Sequence, residues 1–392
     1  MTEPREIGLD DVEVRGAIVV DRTPRGGLLP RRLPAWARAQ VPDRFMVQTT
    51  AESAGIRLAF RTSASVLELD VLATRMAADE SVQLPPSRYE LTEDRAVVAR
   101  ASAVAGSRYV FSFERPLGYV VQGPPVTVRF TGLGGAERQF ELWLPYTDEV
   151  ELIAMRADAP VSRPSANEAL RWLHHGSSIS HGYRADSTTG TWPVVAALRA
   201  GVDLTSVAFS GNAMLDAFTA RTMRDAPADL ISLKAGINLV NGDVMRMRAF
   251  RPAVHGFLDT IRDGHPDTPI VVASPIWCEP VEESAGPTVQ DPSKAYEWSI
   301  AGGTRDDVVA GRLSLRSIRD ALAEIVASRA STDPNLRYLD GLDLYGRADA
   351  ERMPLPDNLH PGPDAQRHIG ERFADLVLVP QTLAGIVDHP SR

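Results

Sequence analysis

The chain has 392 residues and a formal net charge of −9, from 42 lysine and arginine residues against 51 aspartate and glutamate residues. Because phosphate binding needs a dense basic surface, this balance excludes nucleic acid as a main partner. The length exceeds that of one ordinary domain, so two domains are expected.

Cysteine content and hydropathy indicate the compartment. Cys278 is the single cysteine, so no internal disulfide can form. Residues 1–6 lack the basic and apolar regions of a signal peptide, and no segment approaches the roughly 18 apolar residues of a membrane span. We therefore expect a cytoplasmic protein that does not bind membranes.

The N-terminal part alternates apolar with polar residues in short runs separated by glycine- and proline-bearing turns. Such period-two runs predict strands of an antiparallel sandwich. We expect residues 1–160 to form a jelly-roll-like all-β domain, accessory in role and similar to a carbohydrate-binding module, with a loop at residues 22–34. The predicted strands are residues 56–60, 66–72, 109–113, 126–130, 140–145 and 150–153.

The pattern changes after a linker at residues 157–164. Short apolar runs then alternate with helical patterns, which predicts a parallel sheet covered on both faces, over residues 165–392. Residues 279–304 fit no element and could form a loop over the site. The predicted strands are residues 171–175, 206–209, 230–234, 270–273 and 336–339, and the predicted helices are residues 192–199, 252–262, 310–327 and 363–376.

A serine, an aspartate and a histidine suggest acyl-transfer chemistry. Ser178 follows the first strand of the second domain, and Asp357 and His360 lie three residues apart near the C-terminus. A serine hydroxyl is a poor nucleophile until a base removes its proton, and a neutral histidine does this near pH 7. The histidine needs a third group to fix its tautomer, which Asp357 would supply.

The anionic intermediate of acyl transfer also needs hydrogen-bond donors. The amides of Ser178 and Gly211 and the side chain of Asn238 are candidates, because each follows a predicted strand. Each candidate residue also has a purely structural interpretation, which for Ser178 is a plain loop serine and for His360 a capping role before Pro361. Gly211 could serve turn geometry alone, Asn238 an Asx turn, and Asp357 a simple turn.

These motifs, in this order, resemble those of the SGNH, or GDSL, hydrolases. The resemblance implies a three-layer α/β/α sandwich (flavodoxin-like), with Ser178 as nucleophile, His360 as base and Asp357 as its orienting acid. It also implies an oxyanion hole formed by Ser178, Gly211 and Asn238. The chain departs from the family's pattern at two positions, where Ser177 and Leu239 replace the usual aspartates, which leaves the bonding of the nucleophile loop in doubt.

Other notable residues have simpler interpretations. His174 and His175 are adjacent on a strand and point to opposite faces, so they cannot easily share a metal ion. His181 could line the pocket beside Ser178. Cys278 is interpreted as a packing residue, and Trp277 as a pocket or core residue. We expect neither a metal nor a cofactor.

Three functions remain open. The first is hydrolysis of a small-molecule or carbohydrate ester through an acyl-enzyme. The second is transfer of an acyl group from an acyl thioester such as acyl-CoA to a hydroxyl of a glycosylated or polyketide natural product, as in some two-domain members of the family. The third is carbohydrate binding with a silent catalytic domain. The sequence does not specify the oligomeric state.

Overall fold

The structure is a computed structural model that describes residues 3–112, 115–294 and 296–379. The described residues separate into two compact units. The first contains residues up to 169 together with 187–189 and 203–206, and the second contains the rest. No helix in the described ranges is long and apolar enough to cross a membrane.

The first unit is built from two sheets. Both contribute to a single buried core, in which Leu58 and Phe60 of one sheet meet Leu69 and Val71 of the other. The eight-stranded sheet contains Arg5–Ile7, Val19–Arg22, Leu28–Arg31, Val66–Ala77, Ser107–Ser112, Arg115–Val121, Val126–Thr131 and Asp148–Ala157. The six-stranded sheet contains Glu13–Arg15, Arg57–Thr62, Ser87–Glu93, Ala96–Ala103, Arg138–Trp143 and Val161–Ser162.

The strand pairing explains the alternating pattern of the sequence. In the six-stranded sheet Phe60 lies opposite Phe140, and their ring centroids are 6.0 Å apart. Inward-facing residues of paired strands thus stack into one apolar face, as cross-strand pairs do. The all-β prediction is confirmed, although Val66–Ala77 and Ser107–Ser112 pair in parallel rather than antiparallel.

The structure differs from the sequence prediction in two parts of the first unit. The loop predicted at residues 22–34 is wrong, because Leu28–Arg31 is a strand that pairs with Val19–Arg22. A four-residue strand is too short to show a clear period. Two helices, Ala35–Arg38 and Arg44–Ala51, were not predicted. The predicted end of the 109–113 strand at Phe113 lies outside the described residues.

The second unit contains a parallel sheet with helices on both faces, as predicted. On one face Trp172 packs against Trp192 and Phe373, and on the other His175 stacks on Phe257. Four strands pair in parallel in the order Arg171–Gly176, Leu230–Lys234, Ile270–Ala273 and Leu336–Leu339. The helices are Ser178–His181, Trp192–Ala200, Ala217–Asp225, Ile237–Asn241, Met247–Arg262, Arg305–Val309, Leu315–Arg329, Arg347–Arg352 and Pro363–Phe373.

Several predicted boundaries in this half of the chain are corrected. The strand expected at 206–209 is Asp203–Ser206 instead. The helix expected at 310–327 begins only at Leu315, where Ser314 caps it. The last helix ends at Phe373 and continues as a π-helical turn, Ala374–Leu378.

The segment expected to be a loop, residues 279–304, contains a short hairpin. Its strands are Thr288–Gln290 and Ser299–Ala301, and they pair antiparallel. We call this element, with its described connecting residues 291–294 and 296–298, the 288–301 hairpin.

Candidate active site

Ser178 lies directly after the first strand of the parallel sheet. It is the first residue of the four-residue helix Ser178–His181, and Ser177 caps that helix by accepting a hydrogen bond from the Ile179 amide at 3.3 Å. The amide of Ser178 therefore has no partner within its own helix, as expected at a helix N-terminus. Ser178 is 7% exposed.

Asp357 and His360 lie on the loop that leads into the last helix, Pro363–Phe373. The Asp357 carboxylate closes this loop on itself, since its Oδ1 accepts from the His360 amide at 2.7 Å and from the Leu359 amide at 3.1 Å. An aspartate that bonds the backbone two or three residues ahead is a common device for holding a turn. The carboxylate is thereby fixed relative to the histidine.

The structure brings Ser178, His360 and Asp357 together. His360 Nε2 lies 2.8 Å from Ser178 Oγ, and its Nδ1 lies 2.9 Å from Asp357 Oδ2. Because an ionised carboxylate can only accept, Nδ1 carries the proton and Nε2 is left to accept from the serine hydroxyl. This tautomer allows the imidazole to take the proton of Ser178.

Asp357 is ionised in this site. Burial alone would raise the pKa of this carboxyl, but the hydrogen bond and charge of the His360 side chain, the His360 amide and the charge of Arg184 outweigh it and hold the pKa well below its usual value. A carboxylate that stays ionised stabilises the imidazolium formed during proton transfer.

The segment carrying Gly211 lies beside the segment carrying Ser178. The Phe209 amide donates to the Gly176 carbonyl at 2.9 Å. In each segment the candidate oxyanion donor, Ser178 or Gly211, follows two residues after this hydrogen bond. Gly211 has φ of 71°, a left-handed conformation that favours glycine.

The Asn238 side chain is oriented by a neighbouring loop. Its Oδ1 accepts a hydrogen bond from the Ala213 amide at 3.0 Å. With Oδ1 occupied in this way, the amide group presents Nδ2 as its remaining donor. The preceding Gly236 has φ of 140°, and a Cβ there would lie 2.6 Å from Pro275 Cγ, so this close approach requires glycine.

His181 connects the same loops rather than standing alone. It is 2% exposed, and its Nδ1 accepts from the Ser210 amide at 3.2 Å. Since Ser210 precedes Gly211, His181 helps to fix the position of that glycine. The alternative interpretation, that His181 lines a pocket beside Ser178, gains no support from the burial of its side chain.

Ser177 and Leu239 now have structural explanations. Ser177 caps the Ser178–His181 helix, so the bonding of the nucleophile loop does not require an aspartate there. Leu239 is fully buried. An aspartate at that position would need a buried partner.

Tyr183 and Arg184 lie near the site and were not predicted from the sequence. Tyr183 packs its ring edge-on against His360, with centroids 4.6 Å apart. Arg184 donates from Nε to Asp357 Oδ2 at 3.1 Å and also pairs with Glu297. Arg184 has an unusual φ of 71°, but nothing in the sequence around it indicates this conformation.

Gln366 was also missed, although it links the elements of the site. It is fully buried in the last helix, and its Oε1 accepts from the Trp192 amide at 2.9 Å. Its Nε2 donates to the carbonyls of Ile179 and Tyr183, at 3.3 and 3.4 Å. The helix that follows His360 is thus tied to the helix that begins at Ser178.

His174, His175 and Cys278 lie in packed surroundings. His174 Nδ1 lies 2.7 Å from Ser232 Oγ, and His175 Nδ1 lies 2.7 Å from the Val207 carbonyl. Burial raises the pKa of the Cys278 thiol to about 12, so the thiol is protonated at neutral pH. Trp277 is partly exposed. Among the described residues no group of three or more His, Cys, Asp or Glu side chains could hold a metal ion.

A parallel α/β domain with a hydroxyl, an imidazole and a carboxylate joined at the ends of its strands defines an enzyme of the ester hydrolase and acyltransferase class. The model of the GDSL-like lipase/acylhydrolase family matches residues 175–368. This match confirms the resemblance noted in the motifs of the second unit.

Solved structures share the fold over nearly the whole chain. The salicylyl-acyltransferase SsfX3 from a tetracycline biosynthetic pathway is 24% identical, with a TM-score of 0.78 over 99% of each chain. A putative GDSL-like lipase from Bacteroides ovatus is 16% identical, with a TM-score of 0.67 over 98% of each chain. A family two carbohydrate esterase from Cellvibrio japonicus is 13% identical, with a TM-score of 0.59 over 99% of this chain and 98% of the esterase. No curated protein sequence matches the chain.

Proposed function

We propose that the protein is a serine-dependent esterase that works through an acyl-enzyme on Ser178. The observation that carries this proposal is the pair of hydrogen bonds about His360, 2.8 Å to Ser178 Oγ and 2.9 Å to Asp357 Oδ2. A buried hydroxyl with a correctly oriented base and an ionised acid behind it has the geometry of an activated nucleophile.

The proposed reaction proceeds in two halves. Ser178 Oγ attacks the ester carbonyl while His360 takes its proton, and the resulting oxyanion accepts hydrogen bonds from the amides of Ser178 and Gly211 and from Asn238 Nδ2. His360 then protonates the departing alcohol, leaving an acyl group on Ser178. Water, deprotonated by His360, attacks this acyl group and releases the acid. None of these steps calls on a cofactor.

The proposed substrate is an ester of a small molecule or a carbohydrate. The shared fold with carbohydrate esterases supports this substrate class by analogy alone. The first unit is proposed to be an accessory domain of the carbohydrate-binding kind. In its described residues Tyr119 is the one aromatic among the exposed large apolar side chains, so a broad stacking platform gains no support.

Acyl transfer is the second candidate function. It is favoured by the similarity to a salicylyl-acyltransferase over 99% of each chain. The first half of the reaction would be the same, with an acyl thioester as donor, and a hydroxyl of a natural product would replace water in the second half.

The first experiment measures intact-protein mass after mixing with an activated acetyl aryl ester. We expect an acyl-sized mass gain or rapid ester turnover in the wild type and neither in Ser178→Ala. Ser180→Ala is the matched control, because Ser180 is buried two residues away and its Oγ has no hydrogen-bond partner in the described structure. If no adduct and no turnover occur over a range of acyl lengths, the esterase proposal fails and the binding-protein alternative gains.

A second experiment separates hydrolysis from transfer. The enzyme is incubated with an acyl donor, either an aryl ester or an acyl-CoA, at saturating concentrations of a hydroxyl acceptor. Free acid alone, with a short-lived adduct, supports hydrolysis. A new ester of the acceptor, with an adduct that persists until acceptor is added, supports transfer and overturns hydrolysis as the main activity.

A further inference from the structure

The Asp357 carboxylate accepts four hydrogen bonds. Oδ1 takes the amides of His360 and Leu359, and Oδ2 is shared between His360 Nδ1 at 2.9 Å and Arg184 Nε at 3.1 Å. A carboxylate has about four acceptor sites, so the hydrogen-bonding capacity of the Asp357 carboxylate is fully used. The guanidinium of Arg184 and the imidazole of His360 therefore contact the same oxygen atom.

Arg184 is held in this position by its surroundings. Its backbone has φ of 71°, a left-handed conformation that costs an L-residue other than glycine on the order of 1 kcal/mol. The guanidinium also pairs with Glu297 and lies 5.2 Å from the centre of the Tyr183 ring. A strained backbone that persists at a site suggests that the side chain it aims has a role there.

Several segments of the chain place charged or titratable groups near His360. Its own loop supplies Asp357, and the segment after the Ser178–His181 helix supplies Tyr183 and Arg184. Glu297 belongs to the 288–301 hairpin and faces the outer side of Arg184. Cys278 lies behind Asp357, and its thiol remains neutral below pH 10 because burial raises its pKa to about 12. In the described chain Arg184 is the cation that contacts Asp357.

The charges of Asp357 and Arg184 act on the His360 imidazole in opposite directions. A carboxylate beside an imidazole favours the protonated imidazolium, and a cation on the same carboxylate offsets that preference. Since Glu297 pairs with Arg184 and the arginine side chain is 35% exposed, the effect is partly screened. A moderate displacement of the titration of His360 is therefore expected, rather than a large one.

We propose that Arg184 is a positioning residue that acts through Asp357, both fixing the shared oxygen and keeping His360 neutral, and so able to act as base, at lower pH than Asp357 alone would allow. The link to catalysis rests on the proposed function, whereas the effect on His360 protonation does not.

The test compares the wild type, Arg184→Gln and Arg184→Lys. The downfield imidazole N–H resonance of His360 is followed by NMR across pH 5 to 9, which reports protonation without any substrate. We expect the titration midpoint to rise by about 0.5–1 pH unit in Arg184→Gln and by less in Arg184→Lys, which keeps the charge. Arg251→Gln is the control, since it breaks an exposed arginine–glutamate pair outside the site.

The pH profile of kcat/KM for an aryl ester is measured on the same proteins. We expect its acid limb to move upward in parallel with the NMR midpoint. If the midpoint and the limb of Arg184→Gln stay within about 0.2 pH units of the wild type, Arg184 is merely a structural ion-pair partner and the proposal is wrong, however far the rate falls. If the midpoint moves but no ester is turned over by any variant or the wild type, the proposed function fails while this inference stands.

Discussion

Asn358 donates its side-chain amide to the Ser299 carbonyl at 2.8 Å, while the Ser299 amide donates to the Asp357 carbonyl at 2.9 Å. This reciprocal pair joins the 288–301 hairpin to the loop that carries Asp357 and His360. Asn358 lies between those two residues with φ of 61°, a left-handed conformation that asparagine tolerates better than most residues. The hairpin therefore supports the backbone of the base and its orienting acid.

Two substitutions of Asn358 separate its hydrogen bond to Ser299 from its left-handed backbone conformation. Asn358→Ala removes the amide bond and places a residue without left-handed preference at φ of 61°, so we expect a loss of about 1–2 kcal/mol of unfolding free energy. Asn358→Gly removes the bond but accommodates the conformation, so it should be less destabilised. Both variants should lower kcat by about tenfold, because a displaced base costs rate steeply. Denaturant titration and steady-state kinetics check this, and wild-type kcat in both variants would show that the tie to the hairpin is unnecessary.

Asn238 offers a direct test of the proposed oxyanion hole. Asn238→Asp keeps an oxygen for the Ala213 amide but replaces the Nδ2 donor by a negatively charged oxygen, and Asn238→Ala removes both groups. We expect kcat to fall by about 10²–10³ in each, with the aspartate variant the slower, since an oxyanion-hole donor acts on the transition state. Steady-state kinetics with one aryl ester decides it. A kcat within threefold of the wild type in Asn238→Ala would remove Asn238 from the oxyanion hole.

Gln366 should matter for the stability of the fold. Gln366→Leu keeps most of the side-chain volume but leaves the Trp192 amide and the carbonyls of Ile179 and Tyr183 without their partner. Unsatisfied buried groups cost about 1–3 kcal/mol each, so we expect the midpoint of denaturant unfolding to fall clearly. Gln366→Glu retains an acceptor for Trp192 and should lie between the leucine variant and the wild type. Equal stability of Gln366→Leu and the wild type would contradict this.

The parallel sheet was predictable where strands are short, apolar and buried on both faces. Leu230–Lys234 and Ile270–Ala273 match their predicted bounds because every residue in them is buried, so both runs are rich in apolar residues in the sequence. Asp203–Ser206 was misplaced because Leu204 is its single apolar residue, and the more apolar residues that follow do not form a strand. Leu28–Arg31 was missed because a four-residue strand next to glycines carries little pattern.

The candidate site likewise contains residues that could be predicted from the sequence and residues that could not. Ser178, Asp357 and His360 could be proposed because each falls in a short motif with a recognisable chemical purpose. Arg184 and Gln366 could not, because the side chains and amides that they bond lie more than 110 residues away and no local spacing records such contacts. The part of the site that holds the reacting groups in place is thus the part that required a structure.

Lys234 gives a prediction in which pH decides the outcome. It is one of two lysines in the chain, and it is buried beside the Ser178 segment, directly across the sheet from Gly176. Burial, with the charge of Arg319, lowers the pKa of Lys234 to about 8. Between pH 8 and about 10.4 the unfolded chain therefore binds more protons at this residue than the folded chain, so the stability of the folded state rises with pH in that window, and below pH 8 the cost of the buried charge is carried in full.

Lys234→Met should remove this cost while keeping the length of the side chain. We expect the variant to be more stable than the wild type at pH 7 by roughly 1–3 kcal/mol, and the gap to close as pH rises from 8 to 10. Guanidinium titrations at pH 7, 8, 9 and 10 measure the gap, with Lys294→Met as the control because Lys294, the other lysine, is exposed. The prediction is wrong if Lys234→Met is less stable than the wild type at pH 7 and follows the same pH dependence. That result would mean that the surrounding structure stabilises the Lys234 ammonium, and that Lys234 stabilises the folded state instead of destabilising it.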